Sequence, residues 1–388
     1  MDTNFMPRAI GFLVLQGLVL SLSLVPGRVS AQIDPVRRTY LEAAVGSPLS
    51  GGGPVTGYGY LLWNRPHFHG RNNYARLAVA PTYVRGEWIW ADWPGNGQAV
   101  GLGGQGGFFS DNFYDYRGGT YRRSRSFWGH SVGARFSYYL RPARIAGRLP
   151  VDIAFTLAPG YLAYQGRGNM APGFRVPADT PEYRFRTGVR IGGVPPVLVP
   201  QEAVEFSMWH EVRWRAHAGV YGVPAQPDRT RHLTRRSWFR IGGILPLGSR
   251  QTVSLFFGMG AAGPTDPLSV FRLGGLQRLK KRDPLVLHGY DAGEIFARRY
   301  RLVNAFYRFA PLPQSERVRL QLDFDYARVD YLDGFQEPRR DLVGLGTDVI
   351  VKITPASTVS LGFGYGVDAP RNGGFGAGTA TLRFQMKL

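Results

Sequence analysis

The chain has 388 residues, a net charge of +20, no cysteine and 52 glycines. Glycine at about 13% is nearly twice its usual share, but it has no three-residue period, which excludes a collagen-like fold. The lack of cysteine excludes a small disulfide-stapled domain, so extensive backbone pairing or a large core must hold the fold.

The N-terminus predicts export. Arg8 is followed by an apolar segment, 10–25, and by a small-residue cleavage sequence at 29–31, which together form the pattern of a secretory signal peptide. A retained amphipathic anchor is the alternative. We therefore divide the chain into a signal peptide, residues 1–31, and a single domain, residues 32–388. No later segment approaches the roughly 18 consecutive apolar residues of a spanning helix.

The excess of positive charge suggests nucleic-acid binding, but predicted export argues against it. The basic residues do not cluster, and many alternate with apolar residues inside single strands. We expect them to line a wet interior or to meet anionic lipid headgroups and lipopolysaccharide. Lipids of the outer membrane are thus predicted partners, and nucleic acid is not.

Strict alternation of apolar and polar residues marks the C-terminal third. Segments 319–329, 357–367 and 379–388 each carry apolar residues on one face of an extended strand. The last apolar face is expected to meet lipid and to form, with the C-terminus, an insertion signal for the assembly machinery. That face consists of Leu382, Phe384, Met386 and Leu388.

Strand length, loop asymmetry and export favour a membrane barrel over a soluble sandwich. The candidate strands have about 11–17 residues, closer to a membrane crossing of about 9–11 than to the usual 5–6. Short connections alternate with long ones, as in outer-membrane barrels. The long ones are 110–125, 167–200, 220–235 and 276–298. We predict an all-β fold, a transmembrane antiparallel β-barrel in the outer membrane of a Gram-negative bacterium.

The predicted barrel has about sixteen strands, eleven before residue 276 and five after residue 298. Twelve or fourteen strands also fit, because the first and seventh strands are weakly marked. Only residues 32–55 precede the first clear strand, too few for an independent periplasmic domain. No segment shows convincing helical periodicity.

Segment 283–294, DPLVLHGYDAGE, has no strand period and interrupts this pattern between FRLGG (271–275) and YRLVNAFYRFAPL (300–312). Together with the inward acidic strand and the Gly-rich strands that follow, it resembles the bacterial surface antigen superfamily. That superfamily includes the BamA and TamA assembly factors and the two-partner-secretion transporters. The resemblance covers residues 268–388.

The resemblance implies sixteen strands and a sixth outer loop whose tip folds into the lumen and contacts inward acidic residues. The matching tip residues are Leu287, His288, Gly289 and Tyr290. The matching acids are Asp325 and its neighbour Asp323. The positions that match on either side of the tip are Gly274, Gly275 and Asn304. Irregular loop backbone at membrane depth is expected inside the lumen, because lipid cannot satisfy its polar groups. An ordinary surface loop is the alternative.

The chain departs from the family at several positions. His288 replaces an arginine, so a permanent bidentate cation becomes a group that titrates near neutrality. Ala327 replaces a glycine, and the chain ends in Leu388 rather than an aromatic residue. The POTRA domains that receive substrates in the family have no counterpart in the sequence.

The resemblance implies insertion or translocation of client polypeptides, with periplasmic or outer-membrane accessory proteins as further partners. A diffusion channel for small, perhaps anionic, solutes is the alternative. A hydrolase is the third possibility, because GHSVG (129–133) matches the Gly-x-Ser-x-Gly motif of the hydrolase nucleophile elbow. That elbow needs a strand, a sharp turn and a helix, whereas the pattern of residues 127–140 predicts one continuous strand. We predict neither an enzyme nor a cofactor.

Two further sets of polar residues have ordinary explanations. His67 and His69 could form a metal pair, but no third ligand is near in sequence, and a loop or rim position is the stronger prediction. Segment 205–217 places five charged or titratable residues on one face, and in a wet lumen such groups neutralise one another. They are Glu205, Glu211, Arg213, Arg215 and His217.

Overall fold

The computed structural model describes residues 36–145, 149–193, 203–248, 250–276, 285–312, 315–371 and 373–388. The predicted signal peptide lies outside these residues. No helix in this part of the chain is long and apolar enough to span a membrane.

The described residues form sixteen barrel strands, as predicted, with eleven before the long loop and five after it. They are β1 (Arg38–Pro48), β2 (Thr56–Pro66), β3 (Asn73–Ala80), β4 (Tyr83–Ala91), β5 (Gln98–Gly107), β6 (Trp128–Ile145), β7 (Leu149–Gln165), β8 (Thr180–Gly192), β9 (Ala203–Arg215), β10 (Leu233–Pro246), β11 (Gln251–Ala262), β12 (Ile295–Phe309), β13 (Val318–Tyr331), β14 (Asp341–Thr354), β15 (Ser357–Arg371) and β16 (Gly374–Lys387).

Short elements accompany the barrel. Phe271–Leu273 adds a few residues of strand beside β12. Two small hairpins lie in loops, Tyr116–Arg117 with Thr120–Tyr121 and Val220–Val223 with Gln226–Arg229, and a single 3₁₀ turn covers Arg123–Arg125.

The sheet closes on itself. Each strand pairs antiparallel with the next, and β16 returns to β1 in a register that runs from Tyr40 opposite Lys387 to Pro48 opposite Thr379. Closure removes the unpaired edges that an open sheet would present. We call the β1–β16 junction the seam.

The weakly marked first strand begins at Arg38, and the first clearly marked strand, β2, begins at Thr56. Two details of the prediction were wrong. The predicted loop 167–200 contains β8. Strands also vary more in length, from 8 residues in β3 to 18 in β6; Pro81, which lacks an N–H, follows β3 where its ladder stops.

The long connections lie at one rim, here the long-loop rim, and short turns dominate the other. Loops from five connections pack together at the long-loop rim around Phe113, Phe127, Tyr221 and Phe335. Strand alternation places apolar side chains outward, as Leu322 and its neighbours on β13 show, and polar ones inward. The wall thus has the lipid-facing and lumen-facing sides that the alternation predicts.

The predicted lipid-facing residues of the last strand follow this rule. Leu382 is 54% exposed on the outer face, and Phe384 and Met386 share its parity on β16. Leu388 lies one residue beyond the strand and is also exposed. Their role as an insertion signal stays a prediction.

Candidate functional site

The described parts of the connection between β11 and β12, residues 263–276 and 285–294, turn into the barrel. Within its described part, Leu287 and Tyr290 are completely buried and belong to the main apolar cluster of the lumen. Residues 277–284 of this loop, including the basic Lys280–Arg282, lie outside the described residues. The described part of the segment that interrupts the strand pattern is therefore a loop packed against the inner wall, with its tip at residues 287–290.

Two glycines hold the start of the loop against its tip. Gly274 N–H donates to Leu285 O (3.1 Å) and Gly275 N–H donates to Tyr290 O (3.0 Å). Gly274 has φ +141°, and an added Cβ would collide with the Asp291 carbonyl. Only glycine permits this backbone and this approach.

The tip is anchored on one inward carboxylate. The His288 backbone N–H donates to Asp325 Oδ2 at 2.7 Å, and the His288 ring Nδ1 lies 2.6 Å from the same oxygen. Asn304 Nδ2 connects the carboxylate to the loop backbone, since it donates to Asp325 Oδ1 (2.6 Å) and to Val286 O (3.0 Å). β12 and β13 place Asn304 opposite Asp325 in register.

The second predicted acid has a different partner. Asp323 Oδ1 accepts a hydrogen bond from Gln321 Nε2 at 2.8 Å. Among the described residues it makes no hydrogen bond to the tip, so the anchoring role belongs to Asp325. Asp323 still contributes negative charge close to His288.

The pKa of His288 is raised. Burial by itself lowers this pKa, but the hydrogen bond and the charge of Asp325, followed by the charges of Asp323 and Asp348, outweigh burial and raise it to about 9. His288 is therefore an imidazolium at neutral pH, and its ring N–H donates to a carboxylate. The contact is a charge-assisted hydrogen bond.

A patch of glycines on β14 and β15 makes room for the tip. Gly344 and Gly346 lie under His288, and a Cβ on either would come within 2.7–2.8 Å of its atoms. Gly364 and Gly366 lie under Gly289 and Tyr290 in the same way. These four inward glycines form the seat on which the loop backbone rests. The sequence pattern placed glycines on this face but did not indicate that a loop packs against them.

A buried ion pair fixes the end of the loop. Arg371 on β15 makes a bidentate contact with Glu294, with N–O distances of 2.6 and 2.7 Å. Glu294 Oε2 also accepts the Asp291 N–H at 2.7 Å. Burial, then the charge of Glu294, raises the pKa of Asp291 to about 6, although Arg371 opposes the shift. Sequence reasoning missed this pair because its partners are 77 residues apart.

A second missed cluster crosses the seam. The Glu42 carboxylate accepts hydrogen bonds from Tyr40 on its own strand, from Tyr58 and Tyr60 on β2, and from Gln385 on β16. The Tyr40 and Gln385 distances are both 3.0 Å. Side chains thus reinforce the backbone pairing where the barrel closes.

The remaining candidates lie in a strand and a turn of the wall. Ser131 lies within β6, which continues through the GHSVG motif as predicted, and its Oγ is 2.7 Å from Ser110 Oγ. His67 and His69 lie in the turn after β2. Among the described residues, no group of three or more His, Cys, Asp or Glu side chains could hold a metal.

The charged face of β9 forms ion pairs inside the lumen, as predicted. Glu205 pairs with Arg190, and Arg215 pairs with Glu182 and Asp266. His217 lies beyond the strand, where its Nδ1 is 2.8 Å from Asp179 O.

Comparison with known proteins finds no matching family model and no curated protein of similar sequence. Among solved structures, the chain is similar to CdiB from Acinetobacter baumannii, with a TM-score of 0.60 and 12% identity, covering 91% of this chain and 60% of that one. It is similar to CdiB from Escherichia coli, with a TM-score of 0.53 and 12% identity, covering 90% and 63% of the two chains.

BamA from Haemophilus ducreyi lacking POTRA domains 1–3 gives a TM-score of 0.52 and 12% identity, covering 90% of this chain and 71% of that chain. The chain spans less than two thirds of the length of either CdiB protein. It therefore has the sixteen-stranded fold of the BamA and two-partner-secretion barrels.

Proposed function

We propose that the chain aids the insertion or translocation of polypeptides at the outer membrane, with an accessory protein delivering its clients. The observation that carries this proposal is the loop tip bound to Asp325 in the lumen of a sixteen-stranded barrel. The docked loop obstructs a wide diffusion path, which supports an assembly or secretion role over a passive channel.

The proposal requires the barrel wall or the loop to open. The seam is the natural opening, because among the described barrel strands β1 and β16 are the neighbours that are not consecutive in the chain. It is closed over residues 40–48 in this structure. Client passage would break this pairing and the Glu42 cluster.

A disulfide lock tests the seam, and the cysteine-free chain offers a clean background. Ser47 and Ala380 are register partners across the seam, while Ser237 and Ala261 are partners within the wall between β10 and β11. Paired strand residues lie within disulfide range. The double variants S47C/A380C and S237C/A261C therefore place the same chemistry at a seam and at a control position.

The assay measures how fast a denatured eight-stranded outer-membrane barrel folds into liposomes that contain the protein. We expect acceleration over empty liposomes, loss of it in the oxidised seam variant, recovery after reduction, and no loss in the oxidised wall variant. No acceleration by the unmodified protein would refute the insertion role. Equal activity of both oxidised variants would refute opening at the seam.

A further inference from the structure

The half of the lumen not filled by the loop contains a chamber beneath the long-loop rim. Two cavities of about 120 and 320 Å³ adjoin there, since both are lined by inward residues of β8 and β9. The larger reaches the lower end of the range for small-molecule sites, about 300–1,000 Å³. Asp111 of the loop between β5 and β6 lies at both cavities.

The chamber is strongly basic. Among the described residues, eight arginines but only three carboxylates line the two cavities. Glu211 Oε1 is shared by Arg213 (2.7 Å) and Arg236 (2.9 Å). Glu182 is shared by Arg184 (2.8 Å) and Arg215 (3.0 Å). Each of these acids is therefore shared between two guanidinium groups.

Arg85 is one residue at which the excess positive charge can be located. Its side chain lines the smaller cavity, and among the described residues it has neither a hydrogen bond nor an ion pair. Arg135 faces the same cavity, where it donates to Ser137 Oγ and Thr156 Oγ1 and lies 3.7 Å from the Glu87 carboxylate, which also binds Arg76. An enclosed cation without a partner is costly unless an anion balances it.

We propose that this chamber binds a small oxyanion of the phosphate class, carrying two or more negative charges. Guanidinium groups present paired N–H donors that match such oxygens. Arg85, Arg135 and Arg184 supply the charged donors. Neutral hydroxyl residues that line the same cavity include Tyr83, Ser131 and Thr156.

The test is isothermal titration and thermal unfolding of the full chain in detergent, with inorganic phosphate, pyrophosphate and glycerol 3-phosphate. Sodium chloride at equal ionic strength is the reference. We expect saturable binding and a rise in Tm with phosphate or pyrophosphate but not with chloride. Saturation by glycerol 3-phosphate alone would assign the same oxyanion site to a lipid headgroup.

Arg85→Gln separates binding from structure. Because Arg85 makes no hydrogen bond or ion pair among the described residues, the variant should be as stable without ligand as the wild type, yet bind at least about tenfold more weakly. Arg308→Gln removes one charge from β12 outside the chamber, and should change affinity less than about twofold.

Absence of saturable binding would overturn the proposal. Equal weakening by both variants would also overturn it, since that would indicate only the general charge of the lumen. A loss of unliganded stability in Arg85→Gln with unchanged affinity would make Arg85 a structural residue instead. None of these outcomes bears on the seam experiment, so the two proposals fail separately.

Discussion

Replacing His288 tests how the loop tip is held. The folded pKa of about 9, compared with an unfolded value of about 6.5, limits the stabilisation from the His288–Asp325 contact to about 3.4 kcal/mol, at about 1.36 kcal/mol per pKa unit. The side chain is 28% exposed, so water screens part of the contact. We therefore expect replacement of His288 to weaken docking of the tip by about 1.5–3 kcal/mol, the range for hydrogen bonds to charged groups.

The sign of the pH dependence follows from the raised pKa. A group that binds its proton more tightly when folded contributes its full stabilisation below the unfolded pKa, here about 6.5. The contribution is lost as pH rises through the folded value of about 9. The tip should therefore be firmly docked at pH 6 and loosened at pH 10.

Single-channel conductance in planar bilayers between pH 6 and pH 10 reports on the docked loop. Wild type should conduct little at pH 6 and more as pH passes about 9. His288→Arg, which keeps a permanent cation beside Asp325, should stay low throughout, whereas His288→Ala should conduct more at every pH. His69→Ala, in a turn outside the lumen site, should retain the wild-type profile. Indistinguishable traces from wild type and both His288 variants would refute the reasoning.

Three further predictions concern the wall. Phe384→Arg places a charge on lipid at a cost of about 2–4 kcal/mol near mid-membrane and should cripple assembly in cells, whereas the neighbouring Gln385→Arg faces the lumen and should be tolerated; equal yields would reverse the assigned faces. Gly364→Val intrudes on the tip, since its Cβ would lie 2.6 Å from Gly289 N, and should raise conductance, while the outward Gly59→Val should not. The purified protein should show an almost wholly β circular dichroism spectrum and migrate anomalously on gels unless boiled; appreciable helix would contradict the fold.

Strand count could be predicted from the sequence because a two-residue period survives in most strands. The two-residue period fails to mark a strand where the inward residues are charged and proline is nearby, as in β8. There Glu182, Arg184 and Arg186 resemble loop residues when the segment is considered alone. They become wall residues only because neighbouring strands supply counter-charges, such as Arg215 on β9. The information that makes this segment a strand is therefore tertiary.

The loop tip could be predicted because its residues form a local motif, and the alternation of β13 places Asp325 inward. The clusters that were missed join distant parts of the chain. Glu42 and Gln385 are 343 residues apart and meet only when the barrel closes. No sequence period or spacing marks such a pair, because its geometry depends on register around the whole ring.

The two halves of the lumen differ in the side chains that face it, and this difference determines where the loop lies. β14 and β15 present Gly344, Gly346, Gly364 and Gly366, which leave space and expose backbone. The β8–β10 wall instead presents bulky arginines, with ion pairs at Glu182 and Glu211. A loop with a cationic tip is repelled by that wall and attracted by Asp325, so it packs on the glycine side and leaves the basic chamber open. Reversing the charge of the tip, as in His288→Glu, should therefore displace it toward the arginines, which a cysteine cross-link from the neighbouring position 287 to position 186 would detect in the His288→Glu background.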